Sequence, residues 1–149
     1  MRAIIQRVTK GSVTVNNEIV GKVGKGFVVF LGVGQEDDEE DAQYISKKIA
    51  NMRIFEDEEG KMNLSLKQVD GGVLAISQFT LYGDTRKGNR PSFVEAAPLE
   101  QANRLYEYCI DLIREEGIQT ESGVFQADML VEIHNDGPVT IFIDSKKGD

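Results

Sequence analysis

The period of apolar and polar positions changes repeatedly along the chain, and each change marks an element. Residues 3–8 and 12–15 alternate as half-buried strands do, and Asn16-Asn17 supplies a turn into a third strand at 18–23. The opening is therefore expected to be a β-meander. Gly24-Lys25-Gly26 breaks the pattern, and residues 27–33 are apolar without alternation, the mark of a strand covered on both faces. Ala3, Ile5 and Arg7 share one face of the first strand by the two-residue period. An arginine among apolar neighbours must either emerge at the exposed end of its strand or find acceptors inside.

From residue 41 the period lengthens. Ala42, Ile45, Ile49 and Met52 form one stripe of a helix over 41–52, with Lys47, Lys48 and Asn51 facing elsewhere. Residues 55–66 read as a loop with a short extended piece, and Gly71-Gly72 opens a strand at 73–79. A second helix follows Pro98: Ala102, Leu105, Tyr106, Cys109, Leu112 and Ile113 recur at helical spacing until Gly117. Strands are expected at 119–125, 129–134 and 139–143, and the polar tail from 144 to 149 is expected to fray. The sum is an α+β domain, a mostly antiparallel, barrel-like β-sheet with two covering α-helices.

Length and charge narrow what such a domain does. One hundred and forty-nine residues suit one domain over 1–149, large enough to bury roughly 70% of the surface its unfolded form exposes. No apolar run approaches the ~18 residues of a membrane span, and the first residues lack the apolar stretch of a signal peptide. A cytoplasmic protein is expected. The single cysteine, Cys109, precludes an internal disulfide, and its place in the helical stripe makes it a core residue rather than a nucleophile. A net charge of −8 argues against broad, salt-driven binding to nucleic acid, yet leaves room for a small basic patch touching one end of an RNA. The acidic runs at 36–41 and 56–59 lack the spaced carboxylates and central glycine of a calcium loop. They are expected to be solvated loop and helix-start charges, with no metal.

The candidate chemistry concentrates in two short stretches. Ser77, Gln78 and Thr80 stand with Phe79 at the far end of an otherwise apolar strand, before the turn-rich residues 83–91. Hydroxyls, a carboxamide and free backbone N–H groups there suit a small site for a polar, carbonyl-bearing ligand; the alternative is a strand tip whose side chains cap the turn. Arg86, Lys87 and Arg90 follow directly as a basic patch. The second stretch, Asn135-Asp136-Gly137-Pro138, joins two strands and reads as a hairpin turn in which a cis Gly-Pro bond is accessible. A triad needs a histidine, and His134 should point away from the Val131/Ile133 face, beside Glu132, as a half-exposed sheet residue. No zinc spacing, phosphate loop or dinucleotide fingerprint occurs. An enzyme built from these parts works by positioning and by N–H stabilisation of an oxyanion, which suits cleavage of an activated ester.

In these residues the chain resembles the D-aminoacyl-tRNA deacylases. The likeness covers Met1-Arg2-Ala3-Ile4-Ile5-Gln6-Arg7-Val8 with Ser12-Val13-Thr14-Val15, and Arg53-Ile54-Phe55 before Gly60-Lys61-Met62-Asn63-Leu64. It continues through Ser77-Gln78-Phe79-Thr80-Leu81 with Arg90-Pro91-Ser92-Phe93, and Gly123-Val124-Phe125 with Ala127-Asp128-Met129, to Asn135-Asp136-Gly137-Pro138-Val139-Thr140. Gln126 stands where the family pattern calls for a small residue.

The resemblance implies a homodimeric cytosolic enzyme, without a cofactor, that hydrolyses the ester linking a D-amino acid or mischarged glycine to the 3′ end of tRNA. It implies a cis Gly137–Pro138 dipeptide entering the partner subunit's pocket, its carbonyls holding the substrate's α-amino group and leaving an L side chain no room. It further implies oxyanion donors at the N–H groups of Phe79 and Thr80, beside Ser77 and Gln78. Thr80 then shapes the pocket while the terminal ribose's 2′-hydroxyl assists hydrolysis. Arg7 is implied close to the partner's Gly-Pro loop, the adenosine near Phe125 and Met129, and phosphates of the acceptor end near Arg86, Lys87 and Arg90. An editing-type domain that removes L-serine from tRNA and a non-catalytic dimeric binding module are the alternatives.

Overall fold

One long strand organises the sheet in the computed structural model, which describes residues 1–147. β1 (Arg2–Val15) runs without interruption, so the strands expected at 3–8 and 12–15 are one. Its first half pairs antiparallel with β3 (Gly26–Gly32) and its second half with β2 (Glu18–Val23). β8 (Leu130–Asp144) pairs along the other edge of both halves, with register shifts at Gln6/Val8 and Val8/Lys10. Bulges of this kind bend a strand and increase its twist without ending it.

β3 pairs parallel with β6 (Gly72–Ser77), and β6 parallel with β7 (Thr120–Ser122). β7 then closes toward β2, where the Lys22 N–H donates to the Glu121 carboxylate at 2.9 Å. The result is a nearly closed, barrel-like mixed sheet: antiparallel around β1, parallel from β3 to β7. β7 is shorter than the strand expected at 119–125, because the chain leaves the sheet at Gly123. A small hairpin of β4 (Phe55–Glu56) and β5 (Met62–Leu64) supplies the short extended piece.

The curl of the sheet separates two cores. Inside it, Val8, Val13, Val28, Leu74 and Ile76 pack with Met129, Val131 and Ile133. Outside it, Ala3, Ile5, Phe27, Val29, Leu31, Val73 and Ala75 meet the apolar stripes of α1 (Glu39–Asn51) and α2 (Leu99–Glu115). β3 and β6 are thus covered on both faces, which explains their unbroken apolar runs. Each fully buried Leu, Ile or Val contributes roughly 1.5–3 kcal/mol relative to leaving it exposed.

Asp38 caps α1 in a reciprocal box, its side chain accepting from the Glu40 N–H while the Asp41 side chain accepts from the Asp38 N–H. The acidic run before this helix is not wholly solvated. Asp37 and Asp41 are buried, Asp37 Oδ1 lying 2.7 Å from the amino-terminal ammonium and Asp41 accepting from Ser145 Oγ at 2.6 Å. Burial disfavours the Asp41 carboxylate, but bonds from Ser145, the Asp38 N–H and Lys146 outweigh it and pull its pKa down to about 2. These contacts also correct the expected fraying: Ser145 N–H donates to Met1 O at 2.8 Å and Lys146 reaches Asp41 at 3.1 Å. Residues 148 and 149 of that tail lie outside the described residues.

Candidate active site

The strand expected to reach Phe79 stops at Ser77. β3 ends at Gly32, so after the Gln78 N–H donates to Leu31 O at 2.8 Å the chain has no further ladder partner on that side. It turns at Gln78, and Phe79–Tyr82 form a 3₁₀ turn. Gly32 permits this close return, since a Cβ there would lie 3.0 Å from Gln78 O and from Leu81 Cβ. Among the described residues the N–H groups of Phe79 and Thr80 have no acceptor, as the first donors of a helical turn have none within it.

The turn forms one wall of a cleft of about 290 Å³ at the carboxyl ends of the parallel strands β3 and β6. Ser77, Gln78 and Phe79 line it together with Leu99 and Ala102 of α2 and the segment 125–129. Phe125 is held by the Tyr106 ring, 6.0 Å away between centroids. Ser77, Gln78, Phe79, Phe125 and Met129 are therefore brought together as the sequence suggested. Gln126 adopts a positive φ of 69°, which explains why a small residue was expected there. Asp128 also lines the cleft and was not singled out from the sequence; it is a carboxylate within a motif otherwise read for its apolar residues. A larger groove of about 800 Å³ lies between α1 and the end of β8, around Tyr44, Lys48, Met52 and Phe142, and contains none of the expected site residues.

Thr80 is exposed, and its hydroxyl accepts from the Gln78 carboxamide, which is not a base. His134 lies on the outward face of β8, 3.5 Å from Glu132, as its alternation with Val131 and Ile133 required. Cys109 is buried in the α2 stripe, and that burial pushes its thiol up to about 12.

Arg2 and Tyr82 hold the turn from below, and neither was singled out as a site residue from the sequence. Arg2 Nη1 donates to Leu81 O at 2.8 Å, and its guanidinium lies 4.3 Å from the centre of the Tyr82 ring. Tyr82 in turn donates to Asp37 at 3.3 Å; burial and the Asp37 charge push its hydroxyl far above the usual tyrosine range.

The Gly137–Pro138 bond is cis, but the segment is not a hairpin. β8 continues in one direction through it, pairing Asn135 with Val8 and Thr140 with Gln6, so residues 136–139 bulge outward opposite Arg7. Gly137 sits at φ 131°, and a Cβ there would lie 2.7 Å from Val139 Cγ2 and 3.2 Å from Arg7 Nη2. Arg7 is buried rather than exposed at its strand end. It donates to Asp136 O at 3.1 Å and Ile54 O at 2.8 Å, with Glu56 and Asp136 carboxylates each 3.7 Å away. The loop beside Arg7 is that of its own chain.

The basic stretch lies on an exposed loop closed by reciprocal Asp84–Ser92 backbone bonds of 2.8 Å each. Arg86 is spent on Asp84, at 2.9 and 2.7 Å, and holds that carboxyl down at about 2. Lys87 and Arg90 remain without a carboxylate partner among the described residues.

Fold and cleft together define a small barrel whose cleft is bordered by two unpartnered backbone N–H groups and, among the described residues, has no Ser-His-Asp triad. The family profile described as D-Tyr-tRNA(Tyr) deacylase matches residues 4–144. The chain is 59% identical over 148 residues to the D-aminoacyl-tRNA deacylase of Desulforamulus reducens and 58% identical over 147 to that of Fervidobacterium nodosum, covering 99% of both chains in each case. It superposes with a TM-score of 0.90 on the solved c-Myc DNA Unwinding Element Binding Protein, at 40% identity over 97% of this chain and 98% of that one. The chain belongs to the D-aminoacyl-tRNA deacylase family of hydrolases.

Proposed function

We propose that this chain hydrolyses the ester between a D-amino acid, or glycine, and the 3′ end of tRNA, in a cleft completed by the Gly137–Pro138 loop of a second copy. The observation that carries this reading is the pair of unpartnered N–H groups at Phe79 and Thr80, on a turn that walls the cleft and offers Thr80 no base. The terminal adenosine enters along Phe125 and Met129, bringing the ester carbonyl to the turn. Water adds to the carbonyl carbon, and the electron pair moves to the carbonyl oxygen, where the two N–H groups hold it as an oxyanion. The intermediate collapses, the bond to the ribose 3′-oxygen breaks, that oxygen takes up one of the water's protons, the other passes to solvent, and the amino acid leaves as a carboxylate. The neighbouring 2′-hydroxyl assists this proton movement. Ser77 and Gln78 support the turn, and the Thr80 hydroxyl, outside the cleft lining, holds the Gln78 carboxamide in place.

Handedness needs the loop. Within one chain the register runs from Arg7 through Phe27 to Val73, while the cleft begins at Ser77. Four residues of strand separate the two, about 13 Å along the sheet, so a chain does not bring its own loop to its own cleft. A two-fold homodimer that exchanges loops removes the gap. The Gly137 and Pro138 carbonyls then hold the α-amino group and exclude an L side chain by clash, while Arg7 keeps the bulge in register.

Lys87 and Arg90 meet phosphates of the acceptor end, with Arg86 shaping their loop. Such an end-only contact is compatible with a net charge of −8, which disfavours broad nucleic-acid binding. A cytoplasmic location belongs to the same reading; among the described residues no helix is long and apolar enough to cross a membrane.

Incubation of the purified protein with tRNA carrying D-tyrosine, L-tyrosine or L-serine tests it. Selective release of D-tyrosine is expected. Preferential release of L-serine would make this an editing-type domain, and binding without any release would make it a non-catalytic module.

A further inference from the structure

Beside the cleft lies an exposed aromatic surface. Phe79 is 56% exposed and Phe93 37%, their rings meeting edge to face with centroids 5.0 Å apart. In an edge-to-face pair only one ring has a face covered by the other. Leu99 is exposed as well and lines the cleft as Phe79 does. Lys87 and Arg90 rise from the adjoining loop, whose Asp84–Ser92 closure fixes where Phe93 begins.

We propose that Phe79 and Phe93 form a stacking ledge for the cytidines that precede the terminal adenosine of tRNA, with Lys87 and Arg90 on the phosphates between them. The inference rests on the deacylase reading of the adjoining cleft. Single-stranded nucleic acid is held by this combination of aromatic faces for bases and a flanking cationic groove for the backbone. Continuity argues for the same occupant: Phe79 belongs to both cleft and ledge, so the ledge adjoins the site that takes the 3′ end of the strand. Charge argues for it too. The free cations of this otherwise acidic chain suit a polyanion better than a second copy of net charge −8.

The test uses the full chain with three probes: a 3′-D-aminoacyl adenosine, the corresponding D-aminoacyl C-C-A trinucleotide, and unesterified C-C-A. Phe93→Leu removes the stacking face but keeps apolar bulk, and Phe93→Tyr keeps the face. For the trinucleotide ester, KM is expected to rise about tenfold in Phe93→Leu and less than about twofold in Phe93→Tyr, with kcat unchanged. Hydrolysis of the aminoacyl adenosine is expected to match wild type in both. Affinity for unesterified C-C-A should fall by the same factor in Phe93→Leu alone. That binding arm reads the ledge even where no ester is cleaved, a result that would defeat the deacylase reading and leave the ledge standing. Equal losses on adenosine and trinucleotide esters, no loss on either, or a Phe93→Leu protein that sediments as a smaller assembly would overturn the proposal.

Discussion

Replacing Phe79 by proline deletes one N–H without breaking a native backbone bond, because among the described residues that group has no acceptor. Phe79 opens the 3₁₀ turn, where the fixed φ of proline is tolerated. Gln78, at φ −145° and ψ 86°, lies outside the α region that a following proline disfavours. Phe79→Ala is the matched reference, losing the same ring but keeping the donor. One oxyanion donor is worth roughly 10²–10³ in rate, about 2.7–4 kcal/mol of transition-state stabilisation. Phe79→Pro is therefore expected to fall below Phe79→Ala in kcat by about that factor, with similar KM and thermal midpoint. Single-turnover hydrolysis of D-tyrosyl-tRNA with enzyme in excess reads the chemical step free of product release. Equal rates for the two variants would show that this N–H plays no part in the reaction.

Arg2→Met removes the tether to Leu81 O and the stacking on Tyr82, and is expected to lower the thermal midpoint by about 3–6 °C for a loss of about 1.5 kcal/mol. Its kcat should fall while KM holds, because the turn rather than the adenosine wall is released; an unchanged kcat would make Arg2 purely structural. Gln126→Gly relieves a positive φ of 69° and should stabilise the fold by about 1 kcal/mol in denaturant titration; no gain would show the left-handed backbone carries no strain. The Asp41 carboxyl sits at about 2 against an ordinary 3.8, so its share of stability is complete above pH 4 and lost as pH falls toward 2. Thermal melts from pH 2 to 6 should show a shallower acid limb in Asp41→Asn than in wild type, and parallel limbs would contradict the assignment.

The alternation in residues 3–8, the apolar run at 27–33 and the stripes of both helices were legible because each reflects burial that a local period records. The same periods could not reveal that β1 bends instead of breaking, or that residues 136–139 bulge from one strand instead of turning between two. Both depend on pairing with a strand more than 100 residues away in sequence. The cleft was readable at Ser77, Gln78 and Phe79, where polar groups interrupt an apolar strand. Arg2, Tyr82 and Asp37 were not, since they meet only in three dimensions and each alone reads as an ordinary surface or loop residue. Arg86 read as a phosphate ligand because its pairing with Asp84, two residues away, depends on the shape of the loop.

The claim that each cleft borrows its loop from a second copy is tested most directly by mixing two damaged proteins. Phe79→Pro spoils the cleft and spares the loop. Gly137→Ala forces a side chain onto a φ of 131° against Val139 and Arg7, spoiling the loop and sparing the cleft. Each alone should release D-tyrosine from tRNA poorly. After exchange of protomers, random pairing leaves one intact site in about half of the dimers, so the mixture should recover roughly a quarter of wild-type activity. A mixture no more active than its two components, although exchange has taken place, would contradict a site shared between copies.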